Sequence, residues 1–201
     1  LKPMEETLHK IGYVGMIDVN CIVDEKDGTP WPMEWTARPG YPMWQIQNSL
    51  HKGDPAQWML DCVKGKNTLE VDEATSVGVV ICNSDFPWAK KPIESYLDFP
   101  IITDDCNIEN IHPCEVKLTT TMKMIDDELV EDLPEWGTAG TYICVCTGVA
   151  DNITEAKDKA YKQVKGVKVG NDYGYRTDIA EKCESYLKKL KKFGYCTGWK
   201  F

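Results

Sequence analysis

Histidine is scarce in this chain, and the short motifs that mark common catalytic sites are missing. The three histidines, His9, His51 and His112, lie far apart and lack the surroundings of a catalytic triad. We therefore interpret them as structural or surface residues. The sequence has no G-x-x-x-x-G-K-[ST] or G-x-G-x-x-G loop to hold phosphates, and no G-x-S-x-G turn. These absences argue against P-loop, Rossmann-type and α/β-hydrolase sites.

Positive charge is also scarce, because 23 lysines and arginines stand against 32 aspartates and glutamates, giving a net charge of −9. Such a chain has no general positive field for nucleic acid or anionic lipid. The one basic cluster, "KKLKK" at 188–192, lies in a helical pattern whose other face is apolar, which is typical of a solvated helix face. Neither a signal peptide nor an apolar run of about 18 residues is present. We therefore expect a soluble, cytoplasmic protein without nucleic-acid or membrane partners.

The nine cysteines do not form a recognisable disulfide or zinc pattern. Their number is odd, there is no C-x-x-C pair, and most lie in apolar runs such as "VVIC" and "YICVC". Buried, reduced thiols of this kind are typical of cytosolic proteins. The pattern therefore argues against a disulfide framework and against structural zinc.

Two strand-like segments near the N-terminus predict an antiparallel hairpin. Residues 12–23, "GYVGMIDVNCIV", alternate apolar and polar side chains in their second half, and residues 33–38, "MEWTAR", alternate throughout. The loop between them carries Asp27-Gly28, a strong turn signal. Period-two spacing sends Met33 and Trp35 to the face opposite the polar residues, so we expect these two side chains in the core.

The other face of this hairpin collects polar side chains from both strands. A turn centred near residue 27 places Asp18 opposite Thr36 and Asn20 opposite Glu34, with Arg38 further along the same row. Glu34 and neighbouring oxygens could hold Mg²⁺, which prefers one or two carboxylates together with substrate phosphates. The same row could equally be an ordinary solvated strand face. The residues alone leave both interpretations open.

The rest of the chain predicts a mixed α+β architecture without repeats. Asp54 followed by Pro55 indicates a helix start, and Asn152 with Glu155 forms a capping box. A boundary between two domains is expected near residues 66–74. The other expected elements are helices over 43–52, 153–165 and 177–193, and strands over 76–82, 99–102, 140–150 and on both sides of Asp126-Asp127.

The stretch "GYVGMIDVNCIV…GTPWPMEWTARPGYP" resembles the closing strands of the ATP-grasp domain in the phosphoribosylamine–glycine ligase (glycinamide ribonucleotide synthetase) family. That family has a Y-x-G strand, followed by a strand of the form E-x-N-x-R-x-G-D-P-E. Tyr13 and Gly15 match the first element, and Glu34, Arg38 and Gly40 match the second.

Three further segments are similar to this family, in the same order along the chain. "SVGVVICNSDFP", "GTYICVCTGVADNITEAKDKAY" and "YGYRTDIAEKC" resemble its buried strand, its strand–helix unit and its Y-R-x-D-I-G segment. The resemblance implies an α+β fold in two parts. Residues 1–70 would be the second half of an ATP-grasp domain, with antiparallel strands plus helices, and residues 71–201 a small C-terminal mixed α/β lobe.

The resemblance also implies a ligase of purine biosynthesis that joins glycine to 5-phosphoribosylamine with cleavage of ATP. In such enzymes the reaction passes through a glycyl phosphate, and the E-x-N pair holds Mg²⁺ (or Mn²⁺) against the ATP phosphates. By position, Glu34 would be the carboxylate that bridges metal and nucleotide, and Arg38 the catalytic phosphate partner. Thr36 stands at the asparagine position, and Asn20 stands where related ligases place a further ligand, so both are candidate metal ligands.

Thr36 and the segment "RPGYP" depart from the family pattern. A hydroxyl is a poorer Mg²⁺ ligand than an amide carbonyl, and Pro39, Tyr41 and Met43 replace an aromatic residue, an aspartate and a glutamate. Two alternatives therefore stay open beside the ligase. One is a non-catalytic binding or assembly module that retains the fold, and the other is an ATP-grasp ligase with a different substrate.

The chain begins with Leu1, and few residues precede its first expected strand. In the family, an N-terminal domain and the adenine-binding half of the ATP-grasp domain precede this region. We therefore expect the missing N-terminal part of the same chain as a partner, and we expect the 201 residues alone to be inactive. The small-molecule substrates would be ATP, glycine and phosphoribosylamine.

Overall fold

The computed structural model describes residues 2–88 and 94–199, which divide into two compact units. Unit 1 combines Leu1–Glu73 with Lys182–Phe201, and unit 2 is the continuous segment Ala74–Glu181. Antiparallel sheets and helices build both units, so the predicted α+β class is confirmed. The assignment of 1–70 and 71–201 to two ligase-type domains stays a prediction, and the compact units differ from it by grouping the last segment with unit 1.

Five helices and nine strands are present in the described part of the chain, together with two short 3₁₀ turns at Glu94–Tyr96 and Ile108–Asn110. No helix within residues 2–88 and 94–199 has the length and apolar character needed to cross a membrane. In chain order the elements are α1 (Lys2–Lys10), β1 (Asp18–Val23), β2 (Pro30–Thr36), α2 (Met43–Asn48), α3 (Pro55–Val63), β3 (Thr75–Cys82), β4 (Pro100–Ile102), β5 (Ile111–Pro113), β6 (Val116–Ile125), β7 (Glu128–Thr138), β8 (Tyr142–Ala150), α4 (Ile153–Gly166), β9 (Lys168–Val169) and α5 (Cys183–Lys192).

Unit 1 contains the antiparallel hairpin of β1 and β2, closed by a turn with two backbone hydrogen bonds. The amide of Asp24 donates to the carbonyl oxygen of Thr29 at 2.9 Å, and the amide of Gly28 donates to the carbonyl oxygen of Asp24 at 2.9 Å. Gly28 has a φ of +78°, a left-handed conformation that favours glycine. The predicted turn at Asp27-Gly28 is therefore confirmed.

The C-terminal helix α5 and the residues that follow it pack on this turn. Nζ of Lys189 lies 2.7 Å from Oε1 of Glu25, and the hydroxyl of Tyr195 donates to the carbonyl oxygen of Gly28 at 3.0 Å. A Cβ atom at Gly28 would collide with the ring of Phe193. An exposed ion pair by itself contributes little to the stability of the fold. The packing of the Phe193 ring on Gly28 is therefore the more specific of these contacts.

Two helices of unit 1 differ from the sequence-based expectation. α2 ends at Asn48 instead of continuing to 52, because the chain beyond it pairs with a distant segment: the amide of Lys52 donates to the carbonyl oxygen of Glu70 at 2.9 Å. α1 precedes the first expected strand, in a part of the chain for which the sequence predicts no helix. Its Glu6 and Lys10 form an ion pair four residues apart, a spacing that supports an isolated helix.

The last helix, α5, begins at Cys183 and not near 177 as expected. The residues before it are held by Tyr161 of α4, whose hydroxyl donates to the carbonyl oxygen of Arg176 at 2.8 Å and accepts from the amide of Ile179 at 3.1 Å. Ala180 then has a φ of +67°, which a right-handed helix does not allow. Because of this tertiary contact, α5 begins further along the chain than the sequence predicts.

Unit 2 is built around two antiparallel sheets, with strand orders β3-β8-β5 and β6-β7-β4-β9. β8 is buried along almost its whole length and pairs with β3 on one side and β5 on the other.

The expected turn between β6 and β7 is confirmed, since Asp126 and Asp127 both have positive φ, at 50° and 63°. This pair of left-handed residues is the conformation of a tight two-residue hairpin turn.

Helix α4 covers the sheet that contains β8. Its first turn is capped as predicted, because Oδ1 of Asn152 accepts from the amide of Glu155 at 2.9 Å. Ala156, Ala160 and Val164 are fully or almost fully buried against the sheet. Gly148 of β8 permits this close approach, since a Cβ atom there would overlap the carbonyl oxygen of Ala156 and the amide nitrogen of Ala160.

Replacing Gly148 with alanine is expected to lower the free energy of unfolding by about 1–3 kcal/mol, because both obstructing atoms belong to the helix backbone and cannot move aside alone. Urea unfolding followed by far-UV circular dichroism measures this change. The matched control is Gly174→Ala, where a Cβ atom would meet nothing within 4 Å, and where we expect a change below about 0.5 kcal/mol. Equal midpoints for the two variants would contradict the close-packing argument.

His112 of β5 is a structural residue within unit 2. Its Nε2 lies 2.9 Å from Oγ1 of the buried Thr147, and burial lowers the pKa of the imidazole from its ordinary value of 6.5. The folded state therefore disfavours the charged form.

Unfolding is expected to become easier as the pH falls from about 6.5 through the lower folded-state pKa of His112, because the unfolded chain then binds the proton more readily. Above pH 6.5 the imidazole is neutral in both states and this effect is absent. The free energy of unfolding at pH 7.5 and 5.5 should therefore differ more in the wild type than in His112→Gln. An identical pH dependence in both proteins would show that His112 is not responsible.

Candidate functional site

The polar side chains predicted on the β1–β2 hairpin come together in one open cavity of about 340 Å³. Every residue of the predicted site, Asn20, Glu34, Thr36 and Arg38, contributes to its lining. The remaining lining residues come from the start of β1 and from the segment that leads into α2. They are Asp18, Gly40, Tyr41 and Met43.

The register of the hairpin produces this convergence. Asp18 lies opposite Thr36 and Asn20 lies opposite Glu34, as the sequence predicts. The pairing then shifts at a bulge between Asn20 and Cys21, so that Cys21 faces Pro32. The polar cluster therefore occupies the regular end of the ladder, beyond the bulge and away from the turn.

The apolar side chains of the hairpin are placed differently from the prediction. Met33 is 65% exposed and Trp35 is 48% exposed, so the expectation that they lie in the core is wrong. The alternation of side chains is correct, but a strand face is buried only where a further layer packs on it. Among the described residues, β1 and β2 form a two-stranded sheet.

Short-range hydrogen bonds shape the segment that follows β2. The hydroxyl of Thr36 donates to the carbonyl oxygen of Arg38 at 3.2 Å, and Nη1 of Arg38 donates to the carbonyl oxygen of Pro39 at 3.0 Å. Gly40 lies close to β1, since a Cβ atom there would be 3.4 Å from Oδ2 of Asp18. The segment "RPGYP", which differs from the family pattern, thus borders the cavity directly.

The donor atoms of the cavity suit a hard divalent cation. Glu34 and Asp18 provide carboxylate oxygens, and Asn20 and Thr36 provide an amide oxygen and a hydroxyl. Within residues 2–88 and 94–199, no group of three or more histidine, cysteine, aspartate or glutamate side chains is placed to hold a metal ion. This set therefore fits Mg²⁺, which is bound by one or two carboxylates plus phosphates and water, better than a metal that needs a full protein cage.

The cysteines do not form a second site of this kind. All nine are free thiols, and Cys144 and Cys146 of β8 are buried. A hydrogen bond with Cys144, together with burial, raises the pKa of the Cys146 thiol, and burial raises the pKa of Cys82. Raised thiol pKa values are typical of structural and not of reactive cysteines.

A larger cavity of about 380 Å³ lies in unit 1 between the end of β1 and α5. Its walls are mainly apolar, with Ile22, Leu190 and Phe193 among them. Two of its three charged residues, Lys189 and Glu25, are paired with each other. The polar cavity on the hairpin is therefore the better candidate for chemistry.

No model of a known protein family matches the chain. Among solved structures, the chain is similar to a phosphoribosylamine–glycine ligase from Thermotoga maritima, with a TM-score of 0.62 and 21% sequence identity. The chain has the fold of part of this ligase. The match covers 86% of this chain but 39% of the other one, so the chain spans about two fifths of the length of that ligase. The resemblance seen in the sequence is thus confirmed at the level of the fold.

Proposed function

We propose that this chain is the C-terminal part of an ATP-dependent carboxylate–amine ligase that joins glycine to 5-phosphoribosylamine. The observation that carries the proposal is the convergence of Glu34, Asn20, Thr36 and Arg38 on one cavity. The similarity of the fold to a phosphoribosylamine–glycine ligase supports it. The nucleotide-binding half of the active site would come from a part of the protein that precedes this chain.

The reaction would proceed in two steps. A carboxylate oxygen of glycine attacks the γ-phosphorus of ATP, the bond from that phosphorus to the bridging oxygen breaks, and ADP leaves. The amine nitrogen of phosphoribosylamine then attacks the carbonyl carbon of the glycyl phosphate. The carbon–oxygen bond to phosphate breaks, inorganic phosphate leaves, and the nitrogen loses a proton to give the amide.

Arg38 would act on the phosphate charge that moves during the first step. Phosphoryl transfer is catalysed mainly by positioning and by neutralising charge on the transferred group. The carbonyl oxygen of Pro39 accepts one hydrogen bond from the guanidinium, through Nη1. A guanidinium has five N–H donors, so others are available to phosphate oxygens.

Glu34 would hold the metal, with oxygens of Asn20 and Thr36 as further ligands. Mg²⁺ or Mn²⁺ would, when bound, neutralise and align the phosphate oxygens of ATP. Glu34 faces Asn20 across the hairpin ladder, which supports this role. Neighbouring positions on two strands hold their side chains about 5 Å apart at Cβ, within the span of one coordinated ion.

Glu34→Gln is expected to lower kcat for ADP formation by roughly 100-fold or more in the complete protein that carries this chain, because it removes a charge that aligns the metal with the phosphates. The assay contains MgATP, glycine and phosphoribosylamine, and follows ADP by a coupled enzyme reaction. ADP formation that requires both glycine and the amine identifies the substrates.

The matched control is Glu73→Gln, an exposed carboxylate of the same unit outside the cavity, for which activity should be unchanged. Wild-type activity in Glu34→Gln would remove Glu34 from the site. Two other results separate the alternatives. A folded wild type that binds its ligands but forms no ADP would indicate a non-catalytic module, and ADP formation with another carboxylate or amine would indicate a different substrate.

A further inference from the structure

We propose that β6 is a docking edge for a second copy of this chain, so that two β6 strands pair antiparallel about a two-fold axis at Thr121. β6 is an edge strand, because it pairs with β7 on one side and, among residues 2–88 and 94–199, with no strand on the other. The proposal concerns unit 2 and uses no residue of the hairpin cavity. It is therefore independent of the proposed function.

One face of the β6–β7 ladder carries a row of large apolar side chains that are exposed. Alternate residues of β6 share this face, and Leu129 of β7 belongs to it because it lies opposite Met124. The exposed fractions of these side chains lie between 58% and 77%. The row consists of Leu118, Met122, Met124 and Leu129. Apolar side chains next to an open strand edge are typical of a surface that binds another chain.

β6 lacks the backbone features that usually keep an edge strand from pairing. It is ten residues long and contains neither proline nor glycine. Between Thr121 and Lys123, β6 advances by two residues. β7 advances by three over the same step, from Leu133 to Val130, so the extra residue of this bulge lies in β7. β6 itself therefore presents a continuous row of backbone donors and acceptors.

The two lysines of β6 are held by ion pairs on the face opposite the apolar row. Lysine on an edge strand commonly prevents pairing by its charge. Here Nζ of Lys117 lies 2.5 Å from Oδ1 of Asp98, and Nζ of Lys123 lies 2.9 Å from Oε2 of Glu135. Both charges are thus compensated within unit 2, and β6 itself contains no aspartate or glutamate. The edge therefore presents little net charge to a second copy.

The positions of these lysines favour an axis at Thr121. An axis at Thr120 would place Lys117 directly opposite Lys123 of the other copy, and like charges in directly opposite positions destabilise a ladder. With the axis at Thr121, both lysines face uncharged residues. Moving the axis further toward the hairpin turn would shorten the ladder, because β6 ends at Ile125.

The same axis also matches apolar and charged groups across the interface. Leu118 of each copy lies opposite Met124 of the other, so the two apolar rows form one continuous surface. The acidic turn at Asp126-Asp127 comes beside the end of the other strand that carries Lys117. A strand that pairs antiparallel with its own copy therefore finds complementary groups along its whole length.

The geometry of the sheet limits this assembly to two copies. A two-fold contact uses the same edge of both copies and so closes on itself. The other edge of the sheet is β9, which has two residues. A ladder of nine residues is about 30 Å long. With the side chains of both faces, two such edges bury about 1,000 Å², the lower limit for a specific interface. We therefore expect a reversible equilibrium between monomer and dimer.

The test is sedimentation velocity of the 201-residue chain over about 5–200 µM, a range suited to an interface of this size. The wild type is expected to form a dimer as the concentration rises. Leu118→Glu should raise the dissociation constant of the dimer by about tenfold or more, because the two-fold axis places the unpaired carboxylate at two positions in one interface. The matched control is Val63→Glu on α3, where the side chain is 73% exposed and the dissociation constant should be unchanged.

A double variant tests the register of the two strands. In Leu118→Glu/Met124→Lys, the axis at Thr121 sets each glutamate opposite a lysine of the other copy. The dissociation constant should return to within about threefold of the wild-type value, whereas Met124→Lys alone should raise it. Far-UV circular dichroism and the Tm establish that each variant is folded.

Four outcomes would contradict the proposal. A wild type that stays monomeric throughout the range, or that forms open-ended aggregates, would overturn the closed dimer. Unchanged dimerisation in Leu118→Glu would place the interface elsewhere. A double variant as weak as Leu118→Glu would overturn the axis at Thr121. Hydrogen–deuterium exchange of the wild type needs no variant: the amides of β6 should exchange more slowly as the dimer forms, and rates independent of concentration would also overturn the pairing.

Discussion

The antiparallel register of β1 and β2 is the constraint on which the candidate site depends. Side chains alternate between the two faces of a strand, so a slip of one residue would move Glu34 and Thr36 to the opposite face and leave Met33 and Trp35 in their place. The register is set by the turn that closes at Gly28 and by the packing of Phe193 on that glycine. A residue distant in sequence, at the end of α5, thus helps to fix the arrangement of the polar cluster.

The bulge after Asn20 divides the hairpin into two parts with different roles. On the side of the turn, the strands carry the apolar residues Ile22 and Trp31, which pair with each other. On the other side, the uninterrupted ladder carries the polar cluster. Bulges often lie next to functional sites because they end one pattern of side chains and start another. In a chain with a net charge of −9, the lining of this region carries one arginine, Arg38, together with the carboxylates of Asp18 and Glu34.

Local signals allowed much of the hairpin and of α4 to be predicted from the sequence. The turn at Asp27-Gly28 and the alternation around it determine the pairing of Asp18 with Thr36, and the capping box determines the start of α4. Features that depend on distant contacts could not be predicted. The exposure of Met33 depends on what packs against the hairpin, and the late start of α5 depends on the hydroxyl of Tyr161.

The discontinuous composition of unit 1 has a consequence for the order of folding during synthesis. Unit 2 is one continuous segment, so all of its contacts can form soon after its last residue leaves the ribosome. In unit 1, Glu25 must wait for Lys189, which is 164 residues further along the chain. Closing so long a loop costs entropy before any contact forms. The hairpin therefore emerges early, and it receives its C-terminal helix only after the whole of unit 2 has been made.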